Sequence, residues 1–312
     1  MTNFTKFLSI VFGVLLILTL LVSFFGGHTS SEAFRSSLLD FSPASVDRIE
    51  IENPNRDYVV VLTREDGQWL VESQDGSTTF AASDRMVNAA LEELSTMEIS
   101  AVVARSPDRH ARYHVDREGT NVRLFGGGRG IGSIVVGRFH FQSQTQFYTY
   151  VRPSNSDDVF TVPAFLNATV ARDIPEWRDR RIWNLDASAI SEVHFVFPAD
   201  SSYSIQYQGN NIWVSGTDTL NSSLVNSMLQ QLSDFSADSF PAINLNASDF
   251  GEEKYLINIA MDTGEQRNIR LAPLPEDTAR FQATADGFPY IFNLQRNRFK
   301  NTVMRPKREL LP

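Results

Sequence analysis

Val46-Asp-Arg-Ile-Glu-Ile-Glu-Asn-Pro54 is echoed by Ile190-Ser-Glu-Val-His-Phe-Val-Phe-Pro198. Each run is rich in β-branched, aliphatic or aromatic residues and ends on a turn-forming proline, which reads as a strand. A second β-rich run follows each, Tyr58 to Leu62 and Tyr203 to Tyr207, and each then reaches a tryptophan step, at Trp69 and Trp213. The interval from Val46 to Trp69 equals that from Ile190 to Trp213. An amphipathic helix comes next in both copies. Its stripe is Met86, Val87, Ala90, Leu91 and Leu94 after a cap at Ser83, then Leu224, Val225, Met228, Leu229 and Leu232 after Asn221 or Ser222. A repeat this long predicts two similar domains rather than a solenoid of short units. It also provides an internal control, because a catalytic set should stand in one copy and degenerate in the other. Neither copy shows one.

The second half of each copy is β-rich again. Asn121 to Phe125, Ile131 to Gly137, Thr145 to Arg152 and Val159 to Val162 read as strands in the first copy. Tyr255 to Met261, Gln266 to Ala272, Arg280 to Thr284 and Tyr290 to Leu294 fill the same order in the second. Short helices close the halves near Ala164 to Ala171 and Gln295 to Val303. The expected class is α+β, with two tandem modules that each pack a helix on an antiparallel sheet, behind one N-terminal transmembrane helix. The expected layout is a cytoplasmic stub at 1–6, a signal anchor at 7–27, a linker at 28–40, modules at 41–184 and 185–305, and a tail at 306–312.

The anchor rests on Phe7 to Phe25, FLSIVFGVLLILTLLVSFF, which carries no charge. As a helix it would span roughly 28 Å, the thickness of a hydrocarbon core. A cleaved signal peptide is the rival reading, but the run is long for one and ends in Phe24-Phe25-Gly26-Gly27 without an Ala-x-Ala site. Lys6 favours a cytoplasmic N-terminus, which places the body in the periplasm of a single-pass inner-membrane protein.

The chain has 312 residues, a net charge of −9 and no cysteine. The acidity argues against nucleic acid as a partner. The lack of thiols excludes disulfides, thiolate zinc sites, Fe–S clusters and a cysteine nucleophile. No cofactor is expected.

The strand at 46–51, the Gly67-Gln-Trp-Leu-Val71 step, the helix at 83–97 and Trp177-Arg-Asp-Arg-Arg181 together resemble the bacterial domain of unknown function 4340 family. The resemblance covers most of residues 41 to 300 and implies no catalytic residue. Where many members carry a Tyr-Gly-Leu-like step, this chain has Tyr113-His114-Val115. Members are often associated with ABC-type transport systems, including those linked to gliding motility, so the resemblance implies an accessory role beside an ABC permease or related envelope protein.

Several constellations invite a chemical reading. Gly126-Gly-Gly-Arg-Gly-Ile-Gly132 lacks the spacing of a phosphate loop and reads as a flexible hairpin loop. His110 and His114 could share a helical face, but no third ligand is near, and a solvent-exposed pair is expected. The adjacent carboxylates Asp157-Asp158, Glu252-Glu253 and Glu92-Glu93 read as solvated charge, and no G-x-S-x-G is present. The basic run from Arg296 to Arg308 reads as a frayed terminus. The densest mixture of aromatic and charge is Trp177, Arg178, Asp179, Arg180, Arg181 and Trp183, the candidate interface between modules or with a partner. The leading expectation is a non-enzymatic, membrane-anchored accessory or scaffold of an envelope transport complex. The alternative is a binding module for cell-wall glycan or peptide, which exposed aromatics on a sheet face would support. An envelope hydrolase comes last.

Overall fold

The computed structural model describes residues 38–143, 146–199, 201–241, 245–274 and 276–312. The alternating run at Val46 becomes β1 (Arg48–Glu52), paired with β2 (Val59–Glu65), and β3 (Gln68–Glu72) and β4 (Thr79–Ala81) extend the meander. Helix α1 (Asp84–Ser95) follows, then β5 (Ala101–Ala104), the short α2 (His110–Tyr113), β6 (Thr120–Gly126), β7 (Arg129–Phe141), β8 (Phe147–Pro153) and β9 (Val159–Val162). Two short helices, α3 (Leu166–Val170) and α4 (Ile174–Trp177), lead to β10 (Arg181–Asn184). The second region runs β11 (Ile190–Val196), β12 (Tyr203–Tyr207), β13 (Trp213–Ser215), β14 (Asp218–Thr219), α5 (Ser222–Ser233), β15 (Asp234–Ser236), β16 (Tyr255–Met261), β17 (Gln266–Pro273), β18 (Arg280–Ala285), β19 (Phe292–Gln295) and α6 (Arg296–Thr302).

The first sheet has the order β4-β3-β2-β1-β6-β7-β8-β9-β5, and the second β14-β13-β12-β11-β16-β17-β18-β19. Strand for strand the two orders are the same, except that β5 adds a ninth strand to the first. Its counterpart in the chain, β15, instead pairs with β10 in a separate ribbon. All pairings are antiparallel, with β1 held between β2 and β6 and β11 between β12 and β16. Trp69 on β3 and Trp213 on β13 are both buried, each in the core beneath its own sheet.

Each sheet buries one face against its long helix. Val87, Ala90, Leu91 and Leu94 of α1 enter the first core, and Val225, Met228, Leu229 and Leu232 of α5 enter the second, so the helical stripe provides the apolar surface that the alternating strands require. Asn221 caps α5, its Oδ1 accepting from the backbone N–H of Ser223 and Leu224. Ser83 occupies the corresponding position before α1 but makes no side-chain cap bond. There Asp84 Oδ1 accepts from the Trp69 N–H at 2.9 Å and the Trp69 indole donates to Asn88 at 3.2 Å, tying β3 to the helix.

The expected transmembrane helix at 7–27 lies outside the described residues. Among the described residues no helix is long and apolar enough to cross a membrane. The longest, α1 and α5, have 12 residues each, where a span needs about 20 apolar ones. The architecture of the described residues is therefore corrected to an α+β fold of two sheet-rich regions flanked by short helices, with no membrane-crossing helix among them. The terminus differs too. Arg296 to Arg308 is docked rather than frayed: Lys307 pairs with Asp218 at 2.8 Å, Arg298 pairs with Asp238, and Leu310 is fully buried in the second core.

Candidate functional site

A cleft of about 1300 Å³ lies at one end of the first sheet. Its apolar lining includes Leu39, Ile99, Leu124, Ile131 and Phe160. Polar groups also line it. Arg105 meets Asp158 at 3.5 Å, and the hydroxyls of Ser133 and Ser154 are 2.7 Å apart. Arg123 reaches Glu50 at 3.0 Å and Glu52 at 3.7 Å. Apolar walls with a few convergent polar groups are the composition of a ligand site. β5 borders the cleft through Val102, which is exposed. As the last strand of its sheet, β5 is bonded to β9 on one side only.

The glycine run builds this cleft, which the sequence reading missed. Gly127 and Gly128 take φ of +57° and +74° in a two-residue turn between β6 and β7, a conformation that favours glycine at both positions. Gly130 and Gly132 then line the cleft as strand residues. The expected hairpin is present, but its turn is confined to Gly127 and Gly128, and Arg129 onward already belongs to β7.

The candidate interface at 177–183 divides between the two sheets. Trp177 is buried in the first core and Trp183 in the second, where its indole donates to the Leu232 carbonyl at 2.7 Å. The backbone around Trp177, Arg178 and Asp179 bonds to the end of β4, through Ser83 N–H to Trp177 O and Asp179 N–H to Ala81 O, both 2.8 Å. From Arg180 onward it bonds to β15, with Ala237 N–H donating to Arg180 O. Asp179 accepts from the Arg181 N–H at 3.1 Å, and the side chains of Arg180 and Arg181 are exposed. Arg178 is buried, its guanidinium stacked among Phe80 from β4 and Phe240 and Tyr290 from the second region. Burial pulls its pKa down to about 10.

The sequence profile of a domain of unknown function, DUF4340, matches residues 75–256, more than half of the chain. The chain belongs to the DUF4340 family. The match is narrower than residues 41 to 300, running from the turn before β4 to the start of β16. It includes the 177–183 segment and all of the cleft lining except Leu38, Leu39 and Asp40. No curated protein and no solved structure gives a significant match.

The DUF4340 match carries no transport association. Among the described residues no helix is long and apolar enough to cross a membrane, so the inner-membrane anchor, the periplasmic address and the ABC-permease partner have no support in the described structure. The accessory-scaffold reading falls with them.

The remaining candidates in this DUF4340 chain do not converge. His110 is buried, its Nε2 2.9 Å from the Asp157 carbonyl, while His114 takes a left-handed φ of 55° and pairs with Glu118 at 3.7 Å. The two are not an exposed pair, because α2 turns His110 inward. Asp158 faces Arg105, Glu253 pairs with Arg270 at 3.4 Å, and Glu93 accepts from the Thr169 hydroxyl at 2.6 Å. Among the described residues no group of three or more His, Asp or Glu could hold a metal ion.

Proposed function

We propose that this DUF4340 chain is a non-enzymatic binding module, and that its ligand is an extended peptide lying in the cleft of the first sheet. The observation that carries the reading is that β5, the last strand of its sheet and bonded to β9 on one side only, borders that cleft through Val102. An unpaired strand edge offers main-chain donors and acceptors to a peptide that adds as a further strand, while pockets beside the edge take alternate side chains. Ile99, Val102 and Phe160 supply the apolar part, and the exposed Arg105–Asp158 pair can re-pair with a charged ligand at small cost. Glycan is the second reading, favoured by the hydroxyl and amide groups of Ser133, Ser154, Asn155 and Ser156 on the lining.

The test is equilibrium binding of the full chain to a peptide library and to cell-wall glycan fragments, with the products checked for cleavage. Saturable peptide binding that falls about tenfold in Ser154→Trp, which fills the cleft, is the expected result. Glycan binding with the same sensitivity would select the second reading. Turnover of either ligand, or binding indifferent to Ser154→Trp, would end the cleft-binding reading.

A further inference from the structure

β7 is the longest strand among the described residues, and it outruns its neighbour. Its pairing with β6 ends at Thr120↔Val136, yet it continues against β8 through Phe139↔Thr149, His140↔Tyr148 and Phe141↔Phe147. β9 joins β8 only from Thr149. Residues 138–141 and 147–148 thus form a two-stranded arm with no strand on either outer side. The arm is at the opposite end of β7 and β8 from the cleft, which meets these strands at Gly130 to Ser133 and at Pro153 and Ser154.

The two faces of the arm differ in chemistry. On one, the Phe139 ring lies 4.6 Å from Phe141, 5.7 Å from Phe147 and 4.3 Å from Phe165. Every phenylalanine that stands exposed among the described residues belongs to this cluster: Phe141 at 65%, Phe165 at 49% and Phe147 at 40%. A contiguous exposed apolar patch marks an interaction site more often than scattered apolar residues do. On the other face His140, Tyr148 and Tyr150 pack together, and the Arg138 guanidinium lies 5.3 Å from the Tyr150 ring. Arg138 Nε is buried without a hydrogen-bond partner, and no carboxylate pairs with Arg138 among the described residues. From Arg138 to Tyr150 the sequence has no Asp or Glu, in a chain of net charge −9.

We propose that the arm docks an extended segment of a partner protein that alternates apolar and acidic residues. A strand added along the arm's edge sends successive side chains to opposite faces. Alternate positions would meet the phenylalanine face, which has no hydrogen-bonding group and needs apolar partners. The positions between would meet Arg138, whose uncompensated charge is complementary to carboxylates, beside the rings of His140 and Tyr148. The rings of the phenylalanine face are tilted against Phe139 by 90°, 41° and 50°. They make a cup for a branched side chain rather than a flat platform for a sugar ring.

The test uses the full-length protein and synthetic peptides of about eight residues alternating Val–Glu, Val–Gln, Val–Lys or Ser–Glu, followed by fluorescence anisotropy. Val–Glu should bind at least about tenfold more tightly than Val–Lys or Ser–Glu. Phe141→Ser with Phe147→Ser should abolish that binding, since both side chains are exposed and their loss leaves the cores intact. Arg138→Gln should remove the preference for Val–Glu over Val–Gln while leaving Val–Gln binding unchanged. Ser154→Trp, in the cleft, should have no effect. Equal binding of the four peptides, or Val–Glu binding that survives the double serine variant with an unchanged melting curve, overturns the proposal. So does a concentration-dependent dimer in sedimentation that the same serine variant abolishes, since a second copy would then be the occupant.

Discussion

A buried guanidinium, paired with no carboxylate among the described residues, is held by rings at position 178. The Arg178 Cζ lies 3.8 Å from the centroid of Phe240, 4.1 Å from Phe80 and 4.8 Å from Tyr290. Desolvated contacts of this type contribute about 2 kcal/mol each, against the cost of removing a charge from water that its lowered pKa records. The stem and the stacking then matter more than the charge. Arg178→Met, which keeps much of the length, should stay within about 1.5 kcal/mol of the parent. Arg178→Ala should lose about 2–4 kcal/mol through the cavity left among three rings. Urea unfolding of both variants checks the contrast. Gly137 teaches a related lesson. It reads as a strand end in the sequence, yet β7 passes through it, because a Cβ there would lie 2.3 Å from the Tyr113 carbonyl oxygen. The glycine marks a close approach of α2 to the sheet, and the arm beyond it was hidden by that ambiguity.

At the scale of the elements, the seating of α4 depends on a titrating group. Asp173 caps it in a capping box with Glu176, and the Tyr58 hydroxyl just before β2 donates to the same carboxylate. Burial first, and then that bond, push the Tyr58 pKa up to about 12. The folded state therefore keeps a proton that the unfolded chain loses near pH 10. The stabilisation is complete below about pH 10 and is lost as pH rises through about 12. Tyr58→Phe should remove this alkaline component, so the stability gap between parent and variant should narrow between about pH 9 and 11.5 in urea titrations. Tyr150 and Tyr203 are also raised by burial, and both chains will share that decline, so the difference isolates Tyr58. The long helices illustrate what periodicity can show. The stripes on α1 and α5 were readable because a helix face repeats locally. The cap on α1 was not, because Asp84 turns to the Trp69 backbone, a contact that exists only once β3 is alongside.

Across the whole molecule, the two sheets of common strand order are joined by a segment that gives one tryptophan to each core. The C-terminus then returns to the second sheet. The Leu310 carbonyl accepts from Asn221 N–H at 2.7 Å at the start of α5, and the Tyr203 hydroxyl donates to the Arg305 carbonyl at 2.5 Å. Leu310→Ala should cost about 2–5 kcal/mol, the range for a fully buried leucine. A melting temperature indistinguishable from the parent would show that the docked terminus contributes nothing to the second core.

The chain order alone was enough to reveal the doubled strand pattern, the helix stripes and the α+β class, because alternation and helical periodicity are local properties of consecutive residues. Folding brought together what is distant in the chain. The cleft draws on residues near 39, 102, 124, 132, 154 and 160, and no spacing rule connects them. The phenylalanine cup gathers Phe165 from the loop before α3 with three residues of the arm. Arg178 reads as part of a module or partner interface, but the rings that hold it come together only on folding, Phe80 from β4 and Phe240 and Tyr290 from the segments after β15 and before β19. Burial, edge exposure and ring geometry depend on long-range packing, and a linear pattern does not encode them residue by residue.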